Sequence, residues 1–152
     1  MTVNNRLDLS FGPVGTTSGM ILFMAGLILI WFYPSSALLI VLGAFIGFTS
    51  TSTTIDYDKK RARFSNNLFG IIPIGKWITV DPSMKIGIKE LHQTYRAYSQ
   101  GNRPFTIARY DFRIILYDSE KKEMMPLKRT KSIDAAKAEC ETIATFLGLE
   151  IV

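Results

Sequence analysis

The stretch LSFGPVGTTSGMILFMAGLILIWFYPSSALLIVLGAFIGFTSTSTTI, residues 9–55, contains no Asp, Glu, Lys or Arg, and its reading decides the fold. Two apolar cores lie within it, GMILFMAGLILIWFY (Gly19–Tyr33) and ALLIVLGAFIGF (Ala37–Phe48), separated by Pro34-Ser35-Ser36. A helix needs about 20 residues to cross about 30 Å of hydrocarbon, so each core alone is short. The flanking Ser, Thr and Gly are uncharged and cost little near the interface. Counting them predicts spans of Thr17–Tyr33 and Ser35–Thr51. Pro34 lacks an amide donor and biases Tyr33 away from the helical region, which makes it a natural break between two helices. Trp31, Phe32, Tyr33 and Pro34 then occupy the turn, where an aromatic belt meets the membrane–water interface. A secretory signal peptide does not fit, because no basic cluster precedes the first core, no A-x-A site is evident and a second core follows. A single buried helix of a soluble protein would not stay uncharged for so long. The competing reading is a short hairpin that dips in from one face without crossing; two spanning helices are the expectation.

Gly43-Ala44-Phe45-Ile46-Gly47 places two glycines four residues apart in the second span. Small residues at that spacing let another helix approach closely. The partner is either a second copy of the chain or, as preferred, the first helix of the same hairpin around Gly19 and Gly26. Orientation follows from basic residues near the spans. The connecting turn has none, whereas Arg6 precedes the first span and Lys59, Lys60, Arg61 and Arg63 follow the second. Both termini are therefore expected on the cytoplasmic side.

A length of 152 residues accommodates one domain plus a membrane element. Apart from Arg6 and Asp8, every charge lies beyond residue 55, and the net charge is +5. That balance suits an anionic membrane surface. It falls short of the basic face and exposed aromatics expected of a nucleic-acid binder, so no nucleic-acid partner is expected. One cysteine, Cys140, and one histidine, His92, preclude an intrachain disulfide and argue against a Cys/His zinc cluster.

From Thr53 onward the pattern changes to short alternating segments. Ile55 and Tyr57 alternate with Asp56 and Asp58; after a charged turn, Ala62 and Phe64 alternate with Arg61, Arg63 and Ser65. Alternation on both sides of a polar turn signals a β-hairpin. Gly70 to Gly75 break the pattern. KWITV (76–80), MKIGIKEL (84–91), QTYRAYS (93–99), RYDFRIILYD (109–118) and EMMPL (123–127) read as further strands, with a loop at 100–104. In RYDFRIILYD, Tyr110, Phe112, Ile114 and Leu116 are expected on one face and Asp111 and Arg113 on the other. Pro126 belongs at a strand end or edge. Ile133, Ala136, Cys140, Ile143, Ala144 and Leu147 then follow helical spacing, with Ser132 as N-cap and Gly148 as stop.

This order resembles the bacterial pleckstrin-homology-like domains found in small membrane proteins. The resemblance rests on the IDYDKKRARF hairpin, the GIIPIGKWITV segment and the closing helix SIDAAKAECETIATFLG. It implies an α+β chain with an N-terminal segment (1–16), a transmembrane α-hairpin (17–52) and a cytoplasmic domain (53–152). That domain would be an antiparallel sheet or barrel of about seven strands capped by one helix. It also implies a binding or assembly module in a bacterial inner membrane rather than a catalyst.

No catalytic constellation is legible. His92 has no nucleophile specified beside it, Asp56 and Asp58 stand next to four cations and read as ion pairs, and the glycines at 70 and 75 lack the Lys-Ser/Thr of a phosphate loop. Cys140 reads as a small packed residue. The expectation is therefore no enzyme, no metal and no cofactor. Lys59, Lys60, Arg61 and Arg63 are the candidate contact for lipid or another anion. Lys59, Arg61 and Arg63 resemble the spaced basic pattern of phosphoinositide-binding pleckstrin-homology domains, and alternate strand residues share a face. The plainer reading is that these residues set topology. Lys128, Arg129 and Lys131 form a second basic cluster. The expected function is a scaffold or accessory module that binds another membrane protein, or itself, beside the bilayer; the alternative is an anionic-headgroup sensor.

Overall fold

A computed structural model describes residues 1–98, 101 and 103–152. The expected loop at 100–104 lies partly outside those residues. The chain forms two compact units: residues 6–52 with 65–76, and residues 1–5 with 53–64 and 77–152.

In the first unit, α1 runs Gly12–Leu29, with Pro13 in its first turn where the missing amide costs no hydrogen bond. The chain turns over Ile30–Tyr33, and Tyr33 is extended, as a residue before proline prefers. Pro34–Ser36 form a single 3-10 turn, and α2 follows at Ala37–Phe48. The two helices pack on glycine. A Cβ on Gly19 would lie 2.5 Å from the Gly47 nitrogen, and one on Gly26 would lie 2.8 Å from the Ile40 nitrogen.

The second expected span is corrected here. Residues 49–51 do not extend α2, because Thr49 is already extended and Ser50–Asp56 form strand β2. Ser50, Ser52 and Thr53 are buried in that strand rather than at a lipid interface. At 1.5 Å per residue α2 is about 18 Å long and α1 about 27 Å. Among the described residues one helix, α1, is long and apolar enough to cross a membrane.

Residues 1–16, expected as a segment ahead of the helices, contain β1 (Thr2–Leu9) and the start of α1. The first sheet has the order β1-β2-β3-β4, where β3 is Arg61–Leu68 and β4 is Ile72–Ile74; β5, Trp77–Thr79, also pairs with β3. The second sheet has the order β8-β7-β6-β9, from β6 (Lys85–Tyr98), β7 (Pro104–Tyr117), β8 (Glu123–Thr130) and β9 (Glu150–Ile151). Among the described residues there are nine strands in two open sheets, so the anticipated barrel closure does not occur. From Lys85 on, the expected strands MKIGIKEL and QTYRAY are one continuous strand, β6, paired antiparallel with β7 along its whole length.

The second unit's core is built on the expected alternation. Ile55, Ala62, Ile86, Ile114, Leu116 and Leu127 are fully buried, and α3 (Ile133–Leu147) covers them with Cys140, Ile143, Ala144 and Leu147. The caps of α3 are local: Ser132 Oγ accepts the Ala135 amide, and Gly148 is left-handed at φ 72°. Two residues of β7 depart from expectation. Tyr110 is exposed because pairing with β8 begins only at Phe112. Asp111 is buried, its carboxylate 2.5 Å from the Arg129 guanidinium. Pro126 lies on β8, an edge strand, beside a register shift, where its missing amide is tolerated.

Candidate functional site

The α1–α2 hairpin buries its small residues and exposes its large ones. Thr16, Gly19 and Gly26 on α1 and Gly43 and Gly47 on α2 are buried, while Ile21, Met24, Ile28, Leu38, Val41 and Leu42 are exposed. An amphipathic helix on a soluble core does the reverse, keeping its large apolar side chains inside. Gly43 faces α1 so closely that a Cβ there would overlap the Phe23 backbone nitrogen, and Gly47 lies against Met20. At the turn, Trp31, Phe32 and Tyr33 are 88%, 75% and 65% exposed, and Pro34 begins the 3-10 turn. The two ends of the hairpin are tied together: the Ser10 amide donates to Thr49 O and the Asp8 amide to Thr51 Oγ1, each at 3.2 Å.

The basic turn belongs to the other unit and joins β2 to β3. Its four cations do not form one cluster. The Asp56 carboxylate accepts the Lys59 amide at 3.3 Å and Arg61 Nε at 3.1 Å. Burial alone would raise the Asp56 carboxyl, but those two donors and the nearby charges outweigh it and hold the pKa below its ordinary value. Arg61 and Arg63 both lie over the Trp77 ring, with guanidinium carbons 4.4 and 4.8 Å from its centroid. The β3–β5 register explains this, because Arg63 pairs directly with Trp77 and Arg61 sits two residues along. Lys60 has φ 44°, and its ammonium reaches toward Gly148, at the negative end of the α3 dipole. Lys59 is exposed. The structure thus brings Arg61 and Arg63 together on an indole and directs Lys60 elsewhere. Trp77 was not singled out from sequence; its signal is an aromatic residue in the short strand after a basic hairpin. Arg63 Nε is buried with no hydrogen-bond partner among the described residues, so that half-buried guanidinium retains donor capacity.

The remaining candidates are engaged locally. Asp58 meets the Met1 ammonium rather than Asp56. Lys128 pairs with Glu139 at 2.5 Å and Arg129 with Asp111. His92 packs edge-on to Tyr110, with ring centroids 4.7 Å apart. Cys140 is buried, and burial followed by the charge of Glu141 raises its thiol pKa, opposite to what a reactive thiolate needs. Among the described residues no group of three His, Cys, Asp or Glu side chains converges to hold a metal ion. Comparison with protein families, curated proteins and solved structures finds no match to this chain.

Proposed function

We propose that this chain is a membrane-anchored, non-enzymatic interaction module. The α1–α2 hairpin inserts in the bilayer, and the β-rich unit binds a partner protein, or a second copy, at the cytoplasmic surface. The observation that carries this reading is the inverted hairpin: glycine inside, large apolar side chains outside. Lipid is the solvent in which such a surface has no hydrophobic penalty, and close backbone packing through small residues is how helices associate there. The hydrogen bonds from Ser10 to Thr49 and from Asp8 to Thr51 support entry and exit on one face, hence both ends of the hairpin on one side of the bilayer. Cations that flank the hairpin in sequence, Arg6 before it and Lys59 to Arg63 after it, support the cytoplasmic assignment. A pleckstrin-homology-like body in a bacterial inner membrane fits the sequence resemblance.

Topology mapping of the full chain tests this. Resistance to alkaline extraction and a cytoplasmic C-terminal reporter are expected, with a cysteine at position 31 labelled from the opposite side. Solubility in alkali without detergent, or a C-terminal reporter on the far side, refutes the reading. Labelling of position 31 from neither side means that the hairpin stops inside the bilayer.

The alternative, an anionic-headgroup sensor, is favoured by one arrangement: Arg61 and Arg63 stacked on Trp77, with an unpaired Arg63 Nε beneath. Arg61 is partly neutralised by Asp56, which weakens it. Vesicle flotation separates specific from diffuse binding, since contact with any anionic lipid disappears in salt.

A further inference from the structure

We infer that the β3–β4 turn is a third membrane-contacting element, an apolar wedge that inserts at the lipid interface beside the end of α2. This inference rests on the proposed insertion of the hairpin and adds to it a contact outside the helices. Residues 68–75 read Leu-Phe-Gly-Ile-Ile-Pro-Ile-Gly, without one charged side chain, and Lys76 follows. Ile71, Ile72 and Ile74 are 82%, 53% and 55% exposed, so a strand turn directs three large aliphatic side chains outward. Water disfavours that arrangement, and polar residues normally occupy such turns.

The turn is held against the helices of its own unit. The Phe69 ring packs edge-on against Phe45 at 5.7 Å, and Phe45 in turn packs against Phe11 at the start of α1. The Phe69 amide donates to Thr49 Oγ1. Gly70 lies so near α2 that a Cβ would stand 3.1 Å from Phe48 O, and its φ of 72° is left-handed. Phe69 is also left-handed, at φ 54°, a conformation that bulky residues rarely adopt. Asn or Gly at this position would relieve the backbone, but neither would replace the ring contact with Phe45. Strain is accepted at this turn to seat it on the hairpin.

These contacts seat Phe69 and Gly70, immediately before the exposed isoleucines, against the end of α2 where the chain leaves the hairpin. The same solvent therefore covers hairpin and turn, with Lys76 at headgroup level and the isoleucines in the acyl boundary.

The test uses the full chain with Cys140→Ala, reconstituted in phosphatidylcholine–phosphatidylglycerol vesicles containing doxyl-labelled acyl chains. An environment-sensitive fluorophore is attached at Ile71→Cys, Ile28→Cys or Lys121→Cys. Ile28 reports the helix surface, and Lys121 reports the solvated β7–β8 turn. Strong quenching at 71 and 28 with little at 121 is expected. Quenching at 28 alone overturns the wedge and leaves the inserted hairpin standing. Quenching at neither 28 nor 71 overturns both. Quenching at 121 equal to that at 71 also overturns the wedge, because the turn is then no deeper than a solvated loop.

Discussion

Replacing Gly43 with alanine should loosen the helical hairpin by about 2 kcal/mol. Alanine is the better helix former by about 1 kcal/mol, so local propensity favours the substitution. Packing opposes it. The added Cβ would overlap the Phe23 nitrogen and stand 2.6 Å from Phe23 Cα and 2.8 Å from Gly19 O. All three are backbone atoms and cannot rotate away. To restore ordinary contact at 3.4 Å, α2 must withdraw from α1 by about 1.1 Å at the tightest point, against the close packing that holds the pair. Overpacking typically costs about 1–3 kcal/mol, and immobile neighbours place this site at the upper end. The net of the two effects is the predicted loss. The substitutions should rank by clearance, Gly43 and Gly19 the most damaging, Gly26 intermediate and Gly47, with 3.1 Å of room, the mildest. Denaturant titration of the full chain in detergent micelles, read by a distance-sensitive label pair at positions 28 and 38, measures this. Leu42→Ala, at an exposed position, is the control. The reasoning is refuted if Gly43→Ala matches the parent, or if Leu42→Ala costs more than Gly43→Ala.

Asp56 has its folded pKa depressed, so its charged form stabilises the fold above about pH 4 and that contribution is lost as the pH falls through the folded value. Asp56→Asn should lower the denaturant midpoint at pH 7 and flatten its decline in acid; an unchanged acid slope would show that Arg61 does not hold the carboxylate. Ser132→Ala removes the hydroxyl that accepts the Ala135 amide and should cost about 1 kcal/mol in chemical denaturation, with glycine there costing less. Cys140 should resist thiol reagents at pH 8 until denaturant is added, because its thiol is buried and its pKa raised; rapid labelling of the native chain would place it outside the core.

Local chemistry was legible wherever one segment carries its own instructions. The closing helix shows this best: Ser132, the spacing from Ala136 to Leu147 and Gly148 specify its start, buried face and end, and the structure keeps each. The alternation of Ile55, Ala62, Ile114 and Leu116 likewise marked core residues. At the basic turn, sequence revealed the four cations but not their fates. The partners of Arg61 and Arg63 include Trp77, which only the β3–β5 register brings alongside, and Lys60 is drawn to the end of a helix 88 residues downstream.

By itself, the charge-free stretch 9–55 determined two apolar helices broken at Pro34, because hydrophobicity and proline stereochemistry act within a few residues. Where α2 ends, only tertiary structure decided. Ser50 to Thr54 are as neutral as any helix flank, and they become a strand because β1 and β3 supply hydrogen-bonding partners from distant parts of the chain. The same holds for Thr2–Leu9, a strand only by virtue of residues more than forty positions away. A backbone amide buried in a sheet needs a partner, and the identity of that partner is a property of the fold, not of the segment.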